Sequence, residues 1–257
     1  MATKQQAIAL YTIVRRELVR MFRIVTQVFL PPVITTALYF LIFGSLIGGR
    51  IGPIDGVNYI LFIAPGLIMM SVITNAYSNV STSLFSVRFQ KNIEEILVSP
   101  MHDSLLLLGY VLGGVLRGVI VALLVYLVSY CFLKIEIHNL MMTIVVILLV
   151  SAIFSLAGFT NAMLARNFDD VMIVPTFVLA PLTYLGGVFY STNMLPAFWQ
   201  KVSHLNPILY MVNALRYAMI GQHEVNMITS MFIICIMLIV LTALNMILLK
   251  KGVGLRE

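Results

Sequence analysis

Apolar residues gather into long stretches separated by short polar breaks, and the breaks define the elements. Charge-free runs of about 25 to 32 residues recur, longer than the roughly 20 that a helix needs to cross a hydrocarbon core. Spans are expected over 24–49, 57–85, 104–133, 140–165, 171–190 and 227–249. A transmembrane β-barrel would instead read as alternating segments of about ten residues. The expected fold is therefore an all-α polytopic membrane protein with six transmembrane helices, forming a single transmembrane domain over 1–257.

Two shorter segments carry a different pattern. Residues 5–23 place Ala7, Tyr11, Val14, Leu18, Met21 and Phe22 on one helical face and Arg16, Arg20 and Arg23 opposite. This predicts an N-terminal interfacial helix whose arginines meet anionic headgroups, with a plain basic anchor as the alternative. Over 88–98, Phe89, Ile93, Ile96 and Leu97 recur at helical spacing, Arg88, Lys91, Glu94 and Glu95 cover the other side, and Pro100 stops the helix. Mixed charge suits a protein surface better than an anionic membrane, which favours Lys and Arg alone.

The stretch 175–217 is strongly apolar yet broken. Pro181, Pro196 and Pro207 interrupt it, as does the Gly186-Gly187 pair. Irregular backbone at membrane depth survives only where protein buries it or where it lines a wet cavity. Span five is thus expected to lead into re-entrant helices over 195–217, before the last span. Gly186, Gly187, Phe189, Asn206, Pro207 and Arg216 are the gate candidates there.

Three spans carry further features. Pro31-Pro32 in span one predicts a kink or a delayed helix start. Span two holds Pro65-Gly66 and then Ser71, Thr74, Asn75, Ser78, Asn79, Ser81, Thr82 and Ser83. A polar face on a membrane helix turns toward other helices, so Asn75 and Asn79 are candidates for a pathway wall or a subunit interface; ordinary hydrogen bonding between helices gives the same pattern. Span three has Gly109, Gly113, Gly114 and Gly118, a ridge permitting close packing, and it contains Arg117. No acidic residue occupies any apolar run, so Arg117 is expected to meet a polar substrate group or a lipid phosphate, or else to snorkel to an interface.

Composition and charge sharpen this picture. With 61% hydrophobic and 10% charged residues and a mean hydropathy of +1.02, the chain lies far from the soluble average of about 25% charged residues. The net charge of +6 therefore reports topology, and no nucleic acid is expected as a partner. With both termini cytoplasmic, Lys4, Arg15, Arg16, Arg20, Arg23, Arg88, Lys91, Arg166, Lys250, Lys251 and Arg256 lie inside, against Arg50, Lys134, Lys201 and Arg216 outside, as the positive-inside rule requires. No cleavable signal peptide is expected, because a long basic segment precedes the first apolar run. Cys131 and Cys235 sit in apolar runs and read as small hydrophobes. No metal site is expected.

The ordered set Pro181, Gly186-Gly187-Val188-Phe189-Tyr190, Leu195-Pro196, Leu205-Asn206-Pro207 and Arg216-Tyr217 resembles the signature of the ABC transporter type-2 permeases, the transmembrane subunits of ATP-driven exporters. Length, span count and the segment between spans two and three fit as well. The resemblance implies a multi-pass protein of the bacterial inner membrane that pairs with a second copy and with a cytoplasmic P-loop ATPase. It also implies that 88–98 is the coupling helix, with Arg88, Phe89, Lys91, Ile93, Glu94, Glu95 and Leu97 docking on that ATPase. ATP and Mg would be bound by the partner, leaving this chain without a cofactor.

The missing chemistry points the same way. No glycine-rich phosphate loop ending in Gly-Lys-Ser or Gly-Lys-Thr occurs, so this chain does not hold ATP in the P-loop manner. His102, His138, His204 and His223 fall in loops or interface segments, and although Asp103 adjoins His102 no nucleophile accompanies the pair, so no catalytic residue is expected. Carriers driven by protons or sodium usually place Asp, Glu or His inside a span, which is not the case here. The abundant Met and aromatic residues suit an amphiphile-tolerant wall and equally ordinary helix packing. The expectation is an exporter permease for an amphiphilic, lipid, polysaccharide or drug-like substrate. An ATP-independent channel or lipid scramblase and a lipid-modifying membrane enzyme remain the alternatives.

Overall fold

The computed structural model describes residues 2–47, 52–54, 56–93 and 101–254. Helix α1, Ala2–Arg23, is interrupted at Ile24, whose φ of −116° and ψ of 38° leave the helical region. Helix α2, Val25–Leu41, follows and continues as a π-helical turn over Ile42–Ile47. Then come α3, Tyr59–Phe89, α4, Asp103–Leu133, and α5, Leu140–Leu164. Helix α6 spans Phe168–Leu185 with a π-helical middle at Val174–Leu179. A 3₁₀ turn at Thr192–Met194 precedes α7, Ala197–Leu205, α8, Pro207–Ile220, and α9, Met227–Lys251. Apart from one isolated bridge between Ile54 and Val57, the described residues contain no β-structure.

Six of these helices, α2 to α6 and α9, are long and apolar enough to cross a membrane, as the pattern of apolar runs predicts. Asparagine sets where several begin. The Oδ1 atoms of Asn58, Asn139, Asn206 and Asn226 accept amide hydrogens from the first turns of α3, α5, α8 and α9, satisfying donors that the helix itself leaves unpaired. Asn167 does the same for α6 through the Asp170 amide.

Helix α3 is the centre of the bundle, with 72% of its most apolar window buried against 17% for α2, α6 and α9. Small residues let the others close on it. A Cβ at Gly66 would strike the backbone of Val188, and one at Gly158 would come within 2.5 Å of the Tyr77 carbonyl. The glycine ridge of α4 serves two partners: Gly109 and Gly113 receive Ile13 and Glu17 of α1, while Gly114 and Gly118 face Ser155 and Ser151 of α5. Helix α8 is almost wholly buried among α3, α5 and α9.

Several boundaries differ from the sequence-based ones, and four of them have a local reason. Helix α2 starts at Val25 and continues past Pro31 and Pro32, so the interruption falls at Ile24 and no start is delayed. Helix α3 continues past residue 85 to Phe89, because Arg88 and Phe89 have partners in neighbouring helices. The helix expected over 88–98 therefore does not begin at Arg88: Gln90 ends α3 and Lys91 turns with a φ of 61°. Glu94, Glu95 and Leu97 lie outside the described residues. Span five ends at Leu185, not at 190, since Gly186 and Gly187 break it, the latter with a φ of 71°.

Candidate functional site: a polar cavity on the central helix

The polar half of α3 opens into a cavity of about 300 Å³ between α2, α3 and α4. Gln27, Thr35, Thr36 and Tyr39 of α2 line one side, Ser71, Thr74, Asn75 and Ser78 of α3 the other, and Arg117 of α4 reaches in. Gln27, Thr35 and Thr74 are exposed at its rim. Asn75 fixes the arginine: its Oδ1 accepts from Nε at 3.2 Å and from Nη2 at 2.9 Å, while its own amide donates to the Ser71 carbonyl. Asn75 and Arg117, proposed separately from sequence, are thus one unit. Among the described residues no carboxylate pairs with Arg117.

One helical turn nearer the ends rich in Arg and Lys, Asn79 belongs to a different constellation. The Glu17 carboxylate of α1 is buried, 1% exposed, and accepts from Ser83 Oγ at 2.5 Å, Arg20 Nη2 at 3.0 Å and Asn79 Nδ2 at 3.4 Å. Arg20 also donates to the carbonyl and Oδ1 of Asn79, both at 2.9 Å, and Arg16 donates to the Tyr110 hydroxyl at 2.6 Å. The α1 arginines expected at headgroups therefore turn onto protein at positions 16 and 20. The packed stripe of α1 is Ile13, Glu17 and Met21, whereas Tyr11 and Phe22 face outward. A buried charge is tolerated only when paired and hydrogen-bonded, and Glu17 is both.

The remaining gate candidates meet at the opposite end of the bundle. Arg216 of α8, a gate candidate that the charge count also placed outside, is buried, 1% exposed. Its Nη2 donates to the Gly187 carbonyl at 2.6 Å, its Nη1 meets Glu224 at 3.2 Å, and its guanidinium lies 3.8 Å from the centre of the Phe62 ring. Glu224 in turn accepts from the Thr192 amide and hydroxyl, and its own amide donates to Asn213. Asn206 caps α8 ahead of Pro207 and donates to the Leu182 carbonyl at 2.6 Å, while Ile208 fills the space beside Gly186. Phe189 packs on Tyr39, Phe43 and Tyr184, and its carbonyl accepts from the Tyr59 hydroxyl. Tyr39 lines the cavity, so this aromatic cluster adjoins it.

The docking residues separate in the structure. Arg88 turns inward, where Nη1 donates to the carbonyls of Ala162, Met163 and Ala165 and so caps the carbonyl end of α5. Ile93 is buried in one cluster with Leu106 and Leu107. Phe89, 63% exposed and packed at a tilt against Phe168, and Lys91 remain at the surface, beside a groove of about 540 Å³ that also takes in Arg166 and Gly254.

Sequence reasoning passed over Glu17 and Glu224. Glu17 had a readable signal: it stands four residues after Ile13 and four before Met21, in the middle of a stripe that turns out to be packed. Glu224 lies in a short polar connection, where nothing in the local pattern marks it as the partner of Arg216.

The model of the family described as ABC-2 type transporter matches residues 8–220. The inner membrane transport permease YadH of Escherichia coli K12 is 48% identical over 250 residues, which cover 97% of this chain and 98% of that protein. Nodulation protein J of Rhizobium leguminosarum bv. viciae is 23% identical over 209 residues, 81% of each chain, and its namesake from Rhizobium meliloti is also 23% identical over 209 residues. The family match takes in α2 to α6 and α8, all the helices that build the cavity and the buried Arg216 cluster, and the chain belongs to the ABC-2 type transporter family.

Proposed function

We propose that this chain is the permease subunit of an ATP-binding cassette exporter of the bacterial inner membrane, with both termini cytoplasmic. A separate P-loop ATPase holds ATP and Mg, docks around Phe89 and residues 91–98, and drives an amphiphilic substrate outward. The observation that carries this reading is the polar cavity on α3 in a chain of this family. It has walls on α2, α3 and α4 and an exposed rim at Gln27, Thr35 and Thr74, so a second copy supplies the missing wall. Nucleotide binding would close the ATPase pair, and the 88–98 segment would pass that movement to α2, α3 and α6. The segment 195–217 acts as a re-entrant outer gate hinged at Gly186-Gly187, and the buried Arg216 holds it shut.

Gentle detergent purification of the tagged chain from its own host, with mass spectrometry of the co-purified proteins, tests this. A P-loop ATPase is expected in stoichiometric amount, and it should be lost from Phe89→Asp, a change at an exposed position that leaves the bundle folded. Recovery of the chain alone, under conditions that preserve other such complexes, would turn the reading toward an ATP-independent channel or scramblase.

A further inference from the structure

The cavity beside Arg117 holds hydrogen-bond donors that the protein itself does not use. Nε and Nη2 of Arg117 share a single acceptor, Asn75 Oδ1, and among the described residues Nη1 has no partner. The hydroxyls of Thr35, Ser71 and Ser78 line the same cavity and make no side-chain hydrogen bond to another described residue. No Asp or Glu lines it. The nearest carboxylate constellation is spent: Glu17 is shared between Arg16 and Arg20, leaving that group with a surplus positive charge. Arg20 also lies within electrostatic reach of Arg117. The site thus offers a guanidinium and several hydroxyl donors with no acid to neutralise them.

Depth narrows the ligand further. Arg117 stands midway along α4, about 20 Å from Asp103 at a rise of about 1.5 Å per residue. Helix α4 is longer than the roughly 30 Å of a hydrocarbon core, so its middle falls inside that core. A charged side chain inside the core is costly to place there and is normally met by a partner or by water.

We propose that Arg117, with Thr35, Ser71 and Ser78, forms the headgroup subsite for an anionic amphiphile, whose phosphate-type head bears several acceptor oxygens. Charge-assisted bonds from a guanidinium to such oxygens are short and strong, and the surrounding hydroxyls match a group with more acceptors than a carboxylate has. The subsite deepens the exporter reading by naming the substrate class, and it rests on that reading only for the direction of movement.

Binding to the purified chain in neutral detergent tests the subsite without any ATPase present. The probes are dodecyl phosphate, dodecyl trimethylammonium and inorganic phosphate. Dodecyl phosphate is expected to bind, the cation of equal chain length not to, and Arg117→Gln to weaken dodecyl phosphate by at least about tenfold. Arg117→Lys should keep part of the affinity, and Arg166→Gln, in an exposed connection, should keep all of it. Inorganic phosphate that competes as well as dodecyl phosphate would show a free-anion site, overturning the amphiphile assignment. Equal binding of the anionic and cationic probes to the unaltered chain overturns the proposal without reference to any variant, so a poorly folding Arg117→Gln does not protect it. Loss of the subsite with the ATPase still co-purifying defeats this inference alone; binding intact with no ATPase found defeats the exporter reading alone.

Discussion

Arg216 shows how a residue can look like a pathway group and prove to be an internal tie. Its three nitrogens reach Gly187, Glu224 and Phe62, which belong to three separate segments, so its charge holds the far end of the bundle together. Removing one member of a buried pair strands the other, at a cost of about 3–5 kcal/mol, whereas replacing both with apolar groups is often nearly neutral. Arg216→Leu should therefore lower the melting temperature of the purified protein sharply. Adding Glu224→Leu should restore part of the loss, giving a coupling that a double-mutant cycle reads directly. Strictly additive losses would contradict the pairing. By contrast Arg117 of α4 meets, among the described residues, a neutral amide and no carboxylate, and this difference in partners separates a structural cation from one free for a ligand.

At the scale of elements, close approach decides which helices touch. The α3–α5 contact depends on Gly158, where a methyl group would press on the Tyr77 carbonyl, a backbone atom unable to rotate aside. Gly158→Ala should cost about 1–3 kcal/mol by overpacking, seen as a lower melting temperature, even though Ala is the better helix former. An unchanged or raised melting temperature would show that α3 and α5 pack differently. The six spans were legible in the sequence because a run of some 20 apolar residues has few other uses, and the Gly186-Gly187 break was legible because two glycines at the end of a proline-marked helix stop it. The polar face of α3 was visible too. What the sequence left hidden is tertiary in origin. The end of α3 moves to Phe89 because Arg88 finds the open carbonyls of α5, and α1 turns its arginines inward because Glu17 fits against Gly113. Periodicity alone favoured the face bearing Tyr11 and Phe22, since nothing local reveals that a carboxylate will be buried by groups more than 60 residues away.

At the scale of the whole molecule, one side of the bundle is polar and open. The polar cavity lies at the side of the bundle, walled by α2, α3 and α4, while outward-facing apolar residues such as Ile34, Leu38, Phe177 and Tyr184 cover the flanks of α2 and α6. Apolar flanks of this kind suit lipid or a second copy, and the polar rim suits only water, a ligand or a second copy. On the proposed reading two copies enclose the pathway and a nucleotide cycle in a separate subunit changes its width. Thr35, exposed at the rim, is where that movement should be read. With Cys131 and Cys235, both exposed, replaced by Ser, a spin label at Thr35→Cys reports the distance between the two copies by pulsed electron resonance. A defined distance is expected in the co-purified assembly, changing when ATP is added and no longer responding when Glu94→Lys and Glu95→Lys are introduced. Absence of any dipolar signal, or one distance distribution with and without ATP, would contradict the proposed reading.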